Sequence, residues 1–135
     1  MAMVTFSLNL YLCELINTLM AKYAFVIYSD PEVRSELVKA MHAIQYAMAL
    51  KRKGHEVLIF FDGLGTKVPL SQLRPLVEEA TKMGLVYGAC GYCASPPHVN
   101  VSSRLREAGL KLLGDENDHK DLTLFHEIGY EVIMV

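Results

Sequence analysis

Two cysteines with two residues between them, Cys90-Gly91-Tyr92-Cys93, carry the densest chemistry in this sequence. The spacing lets two thiols approach each other. Amide N–H groups of a following turn or helix would favour the thiolate, the form that attacks or accepts sulfur. Three chemistries fit: sulfur transfer through a persulfide, dithiol–disulfide exchange, or half of a metal site. The plain alternative is a pair of small buried hydrophobes. The pair sits where a short apolar run, Leu85 to Ala89, gives way to a stretch closed by Ser95-Pro96-Pro97. That Gly/Pro punctuation predicts a loop and excludes a helix. Ligands of open α/β sheets bind at the carboxyl ends of strands, so the two sulfurs are the first candidates for reactive atoms.

Other residues are weaker candidates. His98 is the histidine nearest the thiols in sequence, placed to hold a thiolate or relay a proton, or else to be a surface residue. Ser29 and Asp30 stand at the end of one predicted strand, Asp62 and Gly63 at the end of the next. Both pairs would wall a pocket at the sheet rim. Asp62-Gly63-Leu64-Gly65 is not a dinucleotide fingerprint, because Val68 stands where the third glycine belongs and the loop follows the second strand. Structural zinc takes four ligands, commonly from two Cys/His pairs, and one pair is present. His119 and His126, read onto a later helix, leave a Cys/Cys/His site as an alternative. No metal ligand and no cofactor is assigned from the sequence.

The elements that must position these residues alternate between strand and helix. Lys22 to Ser29 reads as a near-continuous apolar strand, as expected where helices cover both faces. Asp30 and Pro31 suit the cap and first position of a long helix to Lys53, with the basic triplet Lys51-Arg52-Lys53 at its negative end and Gly54 beyond. His55 to Phe61 is the second strand, followed by a loop at Asp62 to Thr66. A helix from Ser71 to about Met83 leads to the third strand and the cysteines. Ser102 to Ala108 reads as a short helix, Leu110 to Leu113 as a fourth strand, Asn117 or Asp118 to Ile128 as a helix, and Tyr130 to Val135 as a fifth strand. The fold class is therefore α/β: a single-domain three-layer α/β/α sandwich on a five-stranded, mostly parallel sheet. An amphipathic helix over Asn9 to Met20, beside Cys13, precedes it, so residues 1–21 are an N-terminal helical extension and 22–135 the domain.

The bulk properties narrow the partners. The chain has 135 residues, enough for one domain. Apolar residues make up 52% and mean hydropathy is +0.23, an excess that predicts a subunit interface and a homo-oligomer. The net charge of −2 and the lack of a basic stripe argue against nucleic acid. The first twenty residues lack a basic start and carry Asn9, Glu14 and Asn17, which predicts neither secretory signal nor membrane span. Three cysteines cannot all pair within one chain, which favours reduced thiols and a cytoplasmic setting.

The order of these features resembles the DsrE/DsrF-like family of small sulfur-relay proteins, which includes the TusD-type carriers. The resemblance covers Lys22 to Val135. It rests on Tyr23-Ala24-Phe25-Val26-Ile27-Tyr28, Lys53-Gly54-His55-Glu56-Val57, Phe61-Asp62-Gly63, Ala89-Cys90-Gly91-Tyr92-Cys93-Ala94 and Gly129-Tyr130-Glu131-Val132-Ile133. It implies assembly into trimers or hexamers. It also implies a cysteine after the third strand that carries sulfane sulfur between donor and acceptor proteins. The carrier position best matches Cys90, with Cys93 as a second thiol that steadies or resolves the persulfide. Ser95-Pro96-Pro97-His98 departs from the family pattern, where a helix leads to a glycine turn.

Overall fold

A computed structural model describes residues 20–135. The helix expected over Asn9 to Met20, and Cys13 with it, falls outside the described residues except for Met20. The described chain forms five strands: β1 (Lys22–Ile27), β2 (Glu56–Phe61), β3 (Val86–Cys90), β4 (Leu112–Leu113) and β5 (Glu131–Met134). They lie in one sheet in the order β4-β3-β2-β1-β5, and every pairing is parallel. The five strands and the single α/β sandwich therefore stand as the sequence predicts.

Five helices connect the strands: α1 (Arg34–Arg52), α2 (Arg74–Lys82), α3 (Gly91–Ala94), α4 (Ser102–Glu107) and α5 (Thr123–Glu127). Right-handed crossovers that step from β1 to β4 in one direction put their helices on the same face of the sheet. Accordingly Phe25, Ile27, Val57, Ile59, Phe61 and Ala89 pack against Ile44 and Ala47 of α1, Val77 and Ala80 of α2, and Leu105 of α4. The alternate residues point the other way. Ala24, Val26, Phe60 and Cys90 meet Phe125 of α5, the one described α-helix contributing a buried side chain to that face. The return from β4 across the sheet to β5 carries α5 there. Among the described residues the two outer layers are thus unequal: three helices on one side, a five-residue helix on the other. Among the described residues no helix is long and apolar enough to cross a membrane.

Four local expectations are corrected. Asp30 does not cap α1, whose cap position is Val33. Its carboxylate instead accepts from the Glu32 amide at 3.0 Å and pairs with Lys67 at 2.8 Å, closing a turn ahead of the helix. The loop after β2 is a 3-10 stretch over Gly63–Leu70, capped by Asp62. The cysteine segment is not all loop. Gly91–Ala94 makes one helical turn, because Cys90 caps it and the Ser95 hydroxyl donates back to the Gly91 carbonyl at 2.6 Å. The last helix begins at Thr123 rather than near Asp118, since Asp115 and Asp118 bond to each other's backbone in a tight turn.

Candidate thiol site at the sheet rim

The carboxyl ends of β2, β3 and β4 converge on one spot. β2 delivers Asp62, whose amide donates to the Ile27 carbonyl at 2.9 Å and whose Oδ1 accepts from the Gly63 amide at 2.8 Å. β3 delivers Cys90 as its last residue, and α3 swings Cys93 back over it. The Cys93 amide donates to Cys90 Sγ at 3.4 Å, and Cys93 Sγ donates to Asp62 Oδ1 at 3.1 Å. β4 leads through Gly114 and the Asp115–Asp118 turn to His119, whose Nε2 lies 3.8 Å from Asp62 Oδ1. Two backbone approaches make this convergence sterically feasible. A Cβ on Gly91 would collide with the carbonyl oxygen of Gly114, and one on Gly65 with the carbonyl oxygen of Ile27. Only glycine lets the α3 turn and the β4 turn sit so close.

The site grades from interior to solvent. Asp62 and Cys90 are each 1% exposed, Cys93 is half-buried and His119 is exposed. One donor atom from each of these four residues lies within 4.8 Å of the other three. Both thiols are free. Burial raises the Cys90 pKa, and the Cys93 amide offsets only part of that rise. Burial, then the Asp62 carboxylate it donates to, hold Cys93 well above the usual thiol range. The amide donor expected to favour a thiolate is present, but loss of water outweighs it. Burial and then the Asp62 carboxylate likewise raise Tyr28, which follows β1 at the same rim. Asp62 Oδ2 is buried and has no hydrogen-bond partner.

Of the residues singled out in the sequence, Cys90, Cys93, Asp62 and Gly63 come together here. Ser29 is buried but makes no side-chain hydrogen bond to the cluster. Asp30 is committed to Lys67, which also reaches Glu32 at 3.2 Å. His98 stacks on Tyr92, ring centroids 4.5 Å apart, rather than meeting the thiols. His119 takes that place, and it stands ahead of the last helix rather than on it. The signal for it was its position a few residues past a strand end, in a polar turn-forming run, Asp115-Glu116-Asn117-Asp118. A cavity of about 470 Å³ lies elsewhere, against Val86, Tyr87 and Gly88 of β3 with Val77, Thr81 and Leu110 around it, and holds none of the four residues.

No family model matches the chain. No solved structure matches it either. It is 33% identical over 116 residues to the uncharacterized protein MJ0733 of Methanocaldococcus jannaschii, across 83% of this chain and 93% of that one.

Proposed function

The chain belongs to the same family as that archaeal protein, and for it we propose the role of an intracellular, cytoplasmic sulfur carrier that takes sulfane sulfur on Cys93 and hands it to a partner protein. The observation that carries this reading is the half-buried Cys93 thiol, bonded to a carboxylate at 3.1 Å and backed by a second thiol. The resemblance to the DsrE/DsrF-like sulfur-relay proteins points the same way but favours Cys90. Exposure reverses that preference, because an incoming donor protein can reach Cys93 and not Cys90, which is 1% exposed.

The step needs no external oxidant. Cys93 Sγ attacks the outer sulfur of a donor persulfide, R–S–SH. The donor's S–S bond breaks as a new S–S bond forms on Cys93. The thiol proton passes to Asp62 and on to the departing sulfur, leaving R–SH and Cys93–S–SH. Because the Cys93 thiol is protonated in the resting site, a proton acceptor in contact with it is required, and Asp62 Oδ1 is placed for that task. Transfer to the acceptor protein repeats the exchange in reverse. Donor and acceptor dock at the rim in turn, on an assembly that the apolar composition and the resemblance make a homo-oligomer.

The test is mass spectrometry of chelator-treated protein after incubation with a persulfidated donor or polysulfide. The expected result is a gain of one sulfur atom, retained in Cys90→Ser and lost in Cys93→Ser. No adduct on the wild-type chain with both thiols shown to be free, or an adduct that survives Cys93→Ser, overturns the reading.

A further inference from the structure

We infer that Asp62, Cys90, Cys93 and His119 form a binding site for a thiophilic divalent cation of the zinc class. The donor set is two sulfurs, one imidazole nitrogen and one carboxylate oxygen. Thiolate and imidazole donors select zinc-like ions, whereas magnesium and calcium require shells of oxygen ligands. Four donors is also the number that a tetrahedral zinc site takes.

The spacing fits. With bonds of about 2.0 Å to oxygen or nitrogen and about 2.3 Å to sulfur, tetrahedral donors stand roughly 3.3–3.8 Å apart. Here Cys93 Sγ to Asp62 Oδ1 is 3.1 Å, His119 Nε2 to Asp62 Oδ1 is 3.8 Å, and all four donor atoms lie within 4.8 Å of one another. Shifts of less than about 1.5 Å close the shell by these bond lengths. His119, at the exposed end, has the most freedom to supply them.

A second observation is independent of the spacing. Asp62 is 1% exposed, and its Oδ2 has no partner in hydrogen-bond geometry, although the Tyr28 hydroxyl is near enough for the carboxylate to raise it. A buried carboxylate oxygen without a partner is costly, and a cation held by that carboxylate removes the cost. Two amides support the anionic donors: Gly63 N–H to Asp62 Oδ1 at 2.8 Å and Cys93 N–H to Cys90 Sγ at 3.4 Å. The half-buried Cys93 and exposed His119 leave the ion a way in. Binding releases the two thiol protons to solvent as two metal–sulfur bonds form, with no change of oxidation state. The ion occupies the thiols that the carrier reading uses, but the inference does not depend on that reading.

Cobalt(II) titration of the chelator-stripped, fully reduced chain tests it. The expected result is one ion per chain, with the visible bands of a tetrahedral site and sulfur-to-cobalt charge transfer, both abolished by added zinc. Cys93→Ser loses most of the charge-transfer band. His119→Ala, at an exposed position that does not endanger folding, weakens cobalt binding roughly tenfold or more, while the exposed His126→Ala binds as the wild type does. An octahedral or unchanged spectrum with both thiols free overturns the inference, as does wild-type affinity in His119→Ala. The persulfide assay on chelated protein keeps the two readings apart. Adduct without cobalt binding removes only the metal, and cobalt binding without adduct removes only the carrier.

Discussion

Cys90 and Cys93 stand three residues apart, and the turn Gly91–Ala94 gives them different surroundings. Cys90 ends β3 and points into the thinner face of the sheet, among Val26, Phe60 and Phe125. Cys93, one helical turn on, points along the rim to Asp62. The motif and the strand end were legible in the residues; the partition between buried and accessible sulfur was not, since it depends on whether Gly91–Ala94 coils. Asp62 was legible as a rim residue but not as the acceptor of the Cys93 thiol. Asp30 was legible as a polar strand-end residue, and its partner Lys67 could not be read because the 3-10 stretch brings it in. That pair carries a prediction. Its Lys67 partner first, then the Glu32 amide, lower the Asp30 pKa, so the folded state gains stability above the unfolded carboxyl value of about 3.9. The gain disappears as pH falls through the lowered folded-state value. Against the lowering effect of burial, the bonds to Asp30 and Glu32 raise Lys67, so the gain is full below the unfolded lysine value of about 10.4 and is lost as pH rises through the raised folded-state value. Asp30→Asn is expected to lose on the order of 1 kcal/mol at neutral pH and nothing near pH 2, measured by denaturant unfolding across the range. A deficit of equal size at pH 2 would refute the ion pair's role.

Among the elements, the alternation of strands and helices was readable because five apolar runs are separated by glycines and amphipathic stretches. Gly54, Gly84, Gly109 and Gly129 all take positive φ where a helix gives way to the next strand, as C-terminal glycines do. What patterning could not reveal is the imbalance of the layers. A helix's side of the sheet follows from strand order, and order is a tertiary property. α5 therefore bears more than its length suggests. Phe125 is 0% exposed and meets Phe60 at 5.6 Å and Tyr87 at 5.4 Å between ring centroids. Phe125→Ala is expected to cost about 3–5 kcal/mol and to lower Tm by roughly 10 °C or more, followed by circular dichroism. A loss below about 1 kcal/mol would mean that α5 contributes little to the core.

For the whole molecule, the face that is lightly covered among the described residues is where a second subunit would gain most. Leu58, Tyr87, Leu122, Tyr130 and Val132 are only partly buried on it, and Met134 of β5 is 61% exposed. The expectation of a subunit interface, drawn from the apolar excess, would be met by this face. Light scattering at micromolar concentration is expected to give a multiple of the 15.1 kDa chain mass, a trimer or hexamer on the resemblance; a monomer would refute the assembly. The cluster at the rim also draws its four groups from strands of very different holding power. β2 and β3 are six- and five-residue strands inside the sheet, while β4, which leads to His119, pairs through two residues at an edge. Local opening costs least where pairing is shortest. Fraying of that edge takes the imidazole away and leaves the two sulfurs and the carboxylate standing, so the site is hinged at one corner and can pass between three groups and four without unfolding the rest.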